Sequence, residues 1–162
     1  MAVCEVFFWT ATINKWQHLL QEVHFKEVII QSLRTLSERG LIEGFALIIM
    51  PNHIHLLWRT NVLNLKKQRR ESILKFTAHE FKKMLSCNPT ELSKYAVDVH
   101  NKQYEFWPRD SLAVHLYSRR VMFQKLNYLH LNPLAVHWNL VNTSRDYYYS
   151  SARYYEMNEK EF

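Results

Sequence analysis

The stretch Ile42–Trp58, IEGFALIIMPNHIHLLW, decides the fold. Its first part, Ile42–Met50, is almost continuously apolar, which is the pattern of a buried strand and points to a central place in a sheet. Pro51-Asn52 is a turn signal. His53–Trp58, HIHLLW, then resumes the extended pattern. Two strands joined by so short a break pair antiparallel.

The flanks supply what such a pair needs. Upstream, Val6–Ile13, VFFWTATI, is aromatic and β-branched and reads as a first strand. From Glu22 to Arg39, Phe25, Val28, Ile29, Leu33 and Leu36 recur at helical spacing, and Gly40 stands where a helix C-terminal cap belongs. Downstream, a second helix is expected over about Arg70–Leu85, with Ile73, Leu74, Thr77, Phe81, Met84 and Leu85 on one face and Cys87–Pro89 ending it. Residues 90–115 carry a weaker pattern, with Tyr104–Trp107 a candidate short strand. A third helix is expected from Ser118 to Asn132, stopped by Pro133. The order β, α, β, β, α, short β, α predicts an α+β fold, a central antiparallel β-sheet flanked by helices.

Composition narrows the class. The chain has 162 residues, a length that suits one domain at about 100–200 residues each. A single domain over 1–162 is expected, with its core over about 6–155. With 48% hydrophobic residues it can bury a real core, and disorder is excluded. Only 2 glycines are present and no GxGxxG or GxxxxGK[ST] pattern occurs, so a glycine-rich phosphate loop is excluded. The formal charge of +6 suits a polyanionic partner without proving one. Two cysteines, Cys4 and Cys87, make neither a zinc knuckle nor a disulfide framework. The first residues lack a secretory pattern and no apolar run approaches the roughly 20 residues of a membrane span, so a cytoplasmic protein is expected.

Three constellations can carry chemistry. In His53-Ile54-His55, positions i and i+2 of a strand share a face, so two imidazoles can hold one divalent metal. The pair opens a strand just after a turn and is expected at a sheet edge. Taken alone, HxH is equally compatible with two histidines that bind nothing. Tyr128 and Asn132 stand one helical turn apart, about 40° around the axis. They fall with Lys125 and Val121 outside the apolar stripe of Met122, Phe123, Leu126, Leu129 and Pro133, where a tyrosine serving only as core filler would not be placed. A surface tyrosine without a role fits the same pattern. Finally, Lys66, Lys67, Arg69, Arg70, Lys75, Lys82 and Lys83 lie before and along the second helix, and can track a phosphate backbone or simply face solvent. Trp58, Trp107 and Tyr147-Tyr148-Tyr149 are candidates for base stacking or for ordinary core. No serine or cysteine triad is evident.

GFALIIMPNHIHLLW at Gly44–Trp58 and KLNYLHLNP at Lys125–Pro133, in that order and separation, resemble the REP-associated tyrosine transposases, relatives of the single-tyrosine IS200-like transposases. FWPRDSLAVHLYS and DYYYSSARYY also look like the family, so the resemblance covers most of the chain. It implies an HUH endonuclease with a ferredoxin-like, RRM-like sheet. It implies that His53 and His55 bind the metal, that Asn132 completes its coordination and that Tyr128 is the nucleophile. His130 and Lys125 are possible auxiliary residues. Two imidazoles and an amide oxygen favour Mg²⁺ or Mn²⁺ over zinc, with positions left for water and phosphate. The implied activity is cleavage and rejoining of single-stranded DNA through a 5′-phosphotyrosine, at hairpin-forming repeats. The implied setting is bacterial and nucleoid-associated, as a homodimer or a monomer. The chain departs from the family after Asn132-Pro133, where Leu134–Trp138 replaces a turn that commonly carries arginine and glycine. Three alternatives remain: a non-catalytic domesticated DNA-hairpin-binding protein, another HUH enzyme such as a replication initiator or relaxase, and a hydrolytic zinc enzyme.

Overall fold

The computed structural model describes residues 5–60, 66–108 and 111–159. Strand β1, Val6–Thr12, leads through two short 3-10 turns into helix α1, Val23–Glu38. Gly40 ends that helix as expected: at φ 68 it lets its own N–H reach the Ser37 carbonyl and the Leu41 N–H reach the Leu36 carbonyl. Strands β2, Ile42–Ile49, and β3, His53–Thr60, follow, then helix α2, Lys66–Leu85. A short helix α3, Pro89–Ser93, begins on an Asn88 side chain that accepts the Glu91 N–H at 3.2 Å. Strands β4, Ala96–Val99, and β5, Lys102–Tyr104, form a separate two-stranded ribbon. Strand β6, Leu112–Leu116, helix α4, Arg119–Leu131, and helix α5, Ala152–Met157, complete the order.

The main sheet is four-stranded and antiparallel, in the order β2-β3-β1-β6. The expected class, α+β with a central antiparallel sheet, is what forms. Two strand positions differ from expectation. β2 stands at one margin of the four strands, and β3 with the histidine pair is interior. The apolar run of β2 reflects burial on both faces rather than a central place. Its outer margin is also covered: Ile49 N–H donates to the Tyr149 carbonyl and Ser151 N–H to the Leu47 carbonyl, both at 2.9 Å, while Leu47 N–H donates to Ser151 Oγ at 3.1 Å. Ile48 bridges to Ser150 in the same antiparallel sense. At the other margin lies β6, where sequence pattern alone gives no strand, because LAVHL is short and buries only Leu116 fully.

Each sheet face carries a core. Phe7, Trp9, Ala11, Ile54, Leu56 and Trp58 point into the larger one with α1 and α2, where Ile29, Ile73 and Phe81 are buried. Phe8, Ile48 and Leu57 point into the smaller one, closed by Leu129, Leu126 and Met122 of α4. Tyr104–Trp107 is not the strand expected. β5 stops at Tyr104, and Phe106 and Trp107 fold into the larger core, where Trp107 Nε1–H donates to Thr77 Oγ1 at 2.9 Å. Among the described residues no helix is long and apolar enough to cross a membrane.

Candidate functional site

Strand alternation sends Ile54, Leu56 and Trp58 one way, so His53, His55 and Leu57 face α4. The Met50–His53 turn is fastened from two sides. Met50 N–H donates to the His53 carbonyl at 2.8 Å, Ile13 N–H to the Asn52 carbonyl at 2.8 Å, and Leu20 N–H to the Pro51 carbonyl at 2.9 Å. The pair therefore opens an interior strand at one end of the sheet, not an edge strand. The two imidazole rings are 4.8 Å apart between centroids.

Each ring is oriented from behind. His53 Nδ1–H donates to Asn52 Oδ1 at 2.6 Å, since an amide oxygen can only accept. His55 Nδ1 lies 2.8 Å from Thr10 Oγ1, its register neighbour on β1. On the other side of His55, the Asn132 amide donates from Nδ2 to Nε2 at 3.4 Å, which requires a bare Nε2 and places the ring proton on Nδ1. Asn132 lines the same cavity as His53. Burial is the main cause that lowers His53 to about 4, opposed by the Asn132 amide and aided by His137. Burial likewise lowers His55 to about 3, aided by the charges of His53 and Lys125. Both rings are thus neutral at pH 7, the form that ligates metal. Among the described residues no group of three or more His, Cys, Asp or Glu side chains gathers for a metal. The donor set is two imidazoles and one amide, enough for a divalent cation that keeps water or phosphate ligands.

Helix α4 brings the remaining candidates. Ser118 caps it by accepting the Val121 N–H at 3.2 Å, and Asn132-Pro133 turns the chain into a 3-10 turn. The helix is rolled relative to the expected stripe. Val121 packs into the smaller core, while Phe123 is exposed beneath the Arg119 guanidinium. The buried arc therefore lies between the stripe and the Tyr128 side, which puts Tyr128 on its shoulder. Its ring meets His55 at 5.3 Å and Phe8 at 6.2 Å, yet the residue keeps 53% exposure. Lys125 Nζ stands 5.0 Å over the Phe8 ring and 5.7 Å over the Tyr128 ring. His130 is not brought to this cluster: its Nε2 pairs with Ser151 Oγ at 2.9 Å, and burial lowers it to about 4.

Thr10, Thr12, His55 and Tyr128 line both of two cavities. One, about 590 Å³, is lined by His53, Asn132, Asn52, Trp16, His137 and Trp138 among others. The second, about 300 Å³, is lined by Lys125, Trp107, Pro108, Ser111 and Leu112. The basic helix α2 packs on the opposite sheet face. Lys67, Lys75, Lys82 and Lys83 are exposed there, and Arg69 is half-buried. Of the described basic side chains of α2, Arg70 reaches toward the second cavity, donating from Nη1 to the Ser111 carbonyl at 3.4 Å. The Lys66 side chain lies outside the described residues. Of the aromatic candidates for stacking, Trp58 and Trp107 are buried, Tyr147 donates to the Ile49 carbonyl at 2.7 Å, and Tyr149 donates to Glu27 at 2.8 Å. Tyr148 alone is exposed. Sequence reasoning missed Asn52, Thr10, Trp16 and Trp138. For Thr10 the available signal was its alternation with Phe8 on a strand pairing with HIH.

No protein-family model matches the chain, and no curated protein matches it. Its fold is that of solved transposase structures. A REP-associated tyrosine transposase bound to a REP hairpin superposes with a TM-score of 0.67 at 16% identity, over 93% of this chain and 78% of that one. A candidate transposase from Deinococcus radiodurans superposes with a TM-score of 0.51 at 16% identity, over 78% of this chain and 89% of that one.

Proposed function

We propose that the chain is a single-tyrosine HUH transposase that cleaves and rejoins single-stranded DNA at hairpin-forming sequences, with Tyr128 as nucleophile. The observation that carries this reading is the convergence of four side chains from two distant segments on one cavity: His53, His55, Asn132 and the exposed Tyr128. The fold shared with a transposase that holds a REP hairpin supports it.

His53, His55 and Asn132 would hold Mg²⁺ or Mn²⁺, which when bound polarises the scissile phosphate and offsets its developing charge. The chain's own residues do the rest. Asn52 and Thr10 engage the Nδ1 atoms of His53 and His55, which leaves each Nε2 available to a metal. The Lys125 ammonium stands 5.7 Å from the Tyr128 ring, where it can hold the phosphate under attack. The Tyr128 oxygen attacks phosphorus and gives up its proton to water, the bond to the 3′ oxygen breaks, and that oxygen takes up a proton from water. The products are a 5′-phosphotyrosine and a free 3′-hydroxyl. Attack by a 3′-hydroxyl reverses the step, so rejoining needs no nucleotide triphosphate.

The test is incubation of the full chain with hairpin oligonucleotides carrying single-stranded flanks, in Mn²⁺, followed by peptide mapping of the adduct. The expected adduct is on Tyr128 and disappears in Tyr128→Phe and in EDTA. An adduct on another tyrosine, or undiminished cutting in EDTA, overturns the mechanism. Tight hairpin binding with no adduct would instead identify a non-catalytic DNA-binding protein.

A further inference from the structure

The larger cavity has a feature that metal binding and nucleophilic attack do not use. Its outer wall is aromatic, with Trp16 and Trp138 lining it alongside His137. Trp16 is 66% exposed, an unusual place for an indole in a chain whose Trp9 and Trp58 are fully buried and whose Trp107 is nearly so. It is held there against backbone preference. Lys15 and Trp16 take φ of 54 and 55 in succession, a left-handed conformation that side chains other than glycine rarely adopt. Strain of this kind persists only where surrounding structure enforces it. Here the Trp16 carbonyl accepts from Asn52 Nδ2 at 3.5 Å, and the same Asn52 holds His53 through Oδ1. Trp138, which lines the same cavity, is braced by His53 at 5.9 Å and His18 at 5.5 Å between ring centroids.

We propose that Trp16, with Trp138, is a stacking platform for an unpaired nucleobase of the strand whose phosphate lies at His53 and His55. This rests on the reading of the cluster as a single-stranded DNA site. The occupant is argued from the chemistry of the wall. A base has two flat π faces that indoles stack against whatever its identity. Thr12 and His137 line the same cavity and offer hydrogen-bonding groups to its edge. A duplex cannot enter, because its bases are already stacked on one another. The platform therefore selects for unpaired DNA at the site itself, and Asn52 ties its position to that of a metal ligand.

The test uses the full-length Tyr128→Phe protein, so that no strand is consumed, in Mn²⁺. The probes are an oligothymidylate of about twelve nucleotides and an abasic strand of the same length and charge, within the range of a single-strand site. Because the other three tryptophans are buried, quenching of indole fluorescence reports Trp16 and Trp138. Oligothymidylate is expected to quench and to bind more tightly than the abasic strand. Adding Trp16→Ala should weaken oligothymidylate about ten- to a hundredfold and leave abasic binding unchanged, and Trp16→Phe should recover most of the loss. Trp16 is exposed, so an unchanged thermal midpoint is expected of both variants. If Trp16→Ala binds both strands as its parent does, the platform is wrong and the cleavage reading stands. If neither strand binds the parent at all, both readings fall.

Discussion

Asn52 does two jobs with one side chain: Oδ1 fixes the proton on His53 Nδ1, and Nδ2 reaches the Trp16 carbonyl. Thr10 orients His55 through a hydrogen bond to its Nδ1. Groups that orient a metal-binding imidazole typically contribute about 10- to 100-fold in affinity. Asn52→Leu and Thr10→Val are therefore each expected to weaken Mn²⁺ binding by about that factor while the chain stays folded, as read by titration calorimetry. Wild-type Mn²⁺ affinity in both variants would show that the rings need no such support. Local spacing made His53 with His55, and Tyr128 with Asn132, legible as two same-face pairs, and only the family resemblance joined them into one site. Asn52 and Thr10 were not legible. Their role comes from a turn pinned by Ile13 and Leu20 and from a register that pairs Thr10 with His55, and neither is written in local spacing.

The helices and strands taken one by one show where pattern reading stops. The helical period of α1 and α2 is plain, and Gly40 and Pro133 mark ends as expected. The roll of α4 is not visible in its own residues, because a helix with Val121, Met122, Leu126 and Leu129 apolar can settle on either flank. The partner surface of Phe8, Ile48 and Leu57 chooses. That choice brings Tyr128 to His55. The segment around Trp107 was ambiguous because its aromatic run serves packing, not pairing. Its anchor is the bond from Trp107 Nε1 to Thr77 Oγ1, which in turn donates to the Ile73 carbonyl at 2.8 Å. Thr77→Val keeps the shape of this fully buried residue but strands the indole N–H. The expected cost is about 1–3 kcal/mol in denaturant unfolding, with Mn²⁺ affinity unchanged. A variant as stable as the parent would mean that the loop is held by its ring contacts alone.

For the chain in its entirety, three buried histidines set the response to acid. Burial lowers His53 and His130 to about 4 and His55 to about 3. In the unfolded chain they bind protons near pH 6.5. Between about 6.5 and 4 the unfolded state holds more protons, so stability rises with pH across that window and is lost as pH falls through it. Each group contributes up to about 1.4 kcal/mol per pH unit. In a chelator, the denaturant midpoint is expected to drop steeply from pH 7 to pH 5, and His130→Gln should shed about a third of the slope. A flat profile would show that the rings protonate in place. The fold class was legible from the order of elements, but the order of strands was not, since four antiparallel strands can be laid side by side in several ways. The margin of β2 illustrates why this matters. Its outward amides, Leu47 and Ile49, are held by Ser151 and Tyr149 rather than by a permanent strand. Deuterium should therefore enter at these two positions whenever the tail lifts off, well before it enters at inward amides such as Ile48, and a chain ending before Tyr147 should lose protection at the first two only. Equal exchange at all three would mean that tail and sheet open as one. Tyr149, Ser150 and Ser151 thus cover a strand margin, and any competing extended peptide would have to displace them to join the sheet.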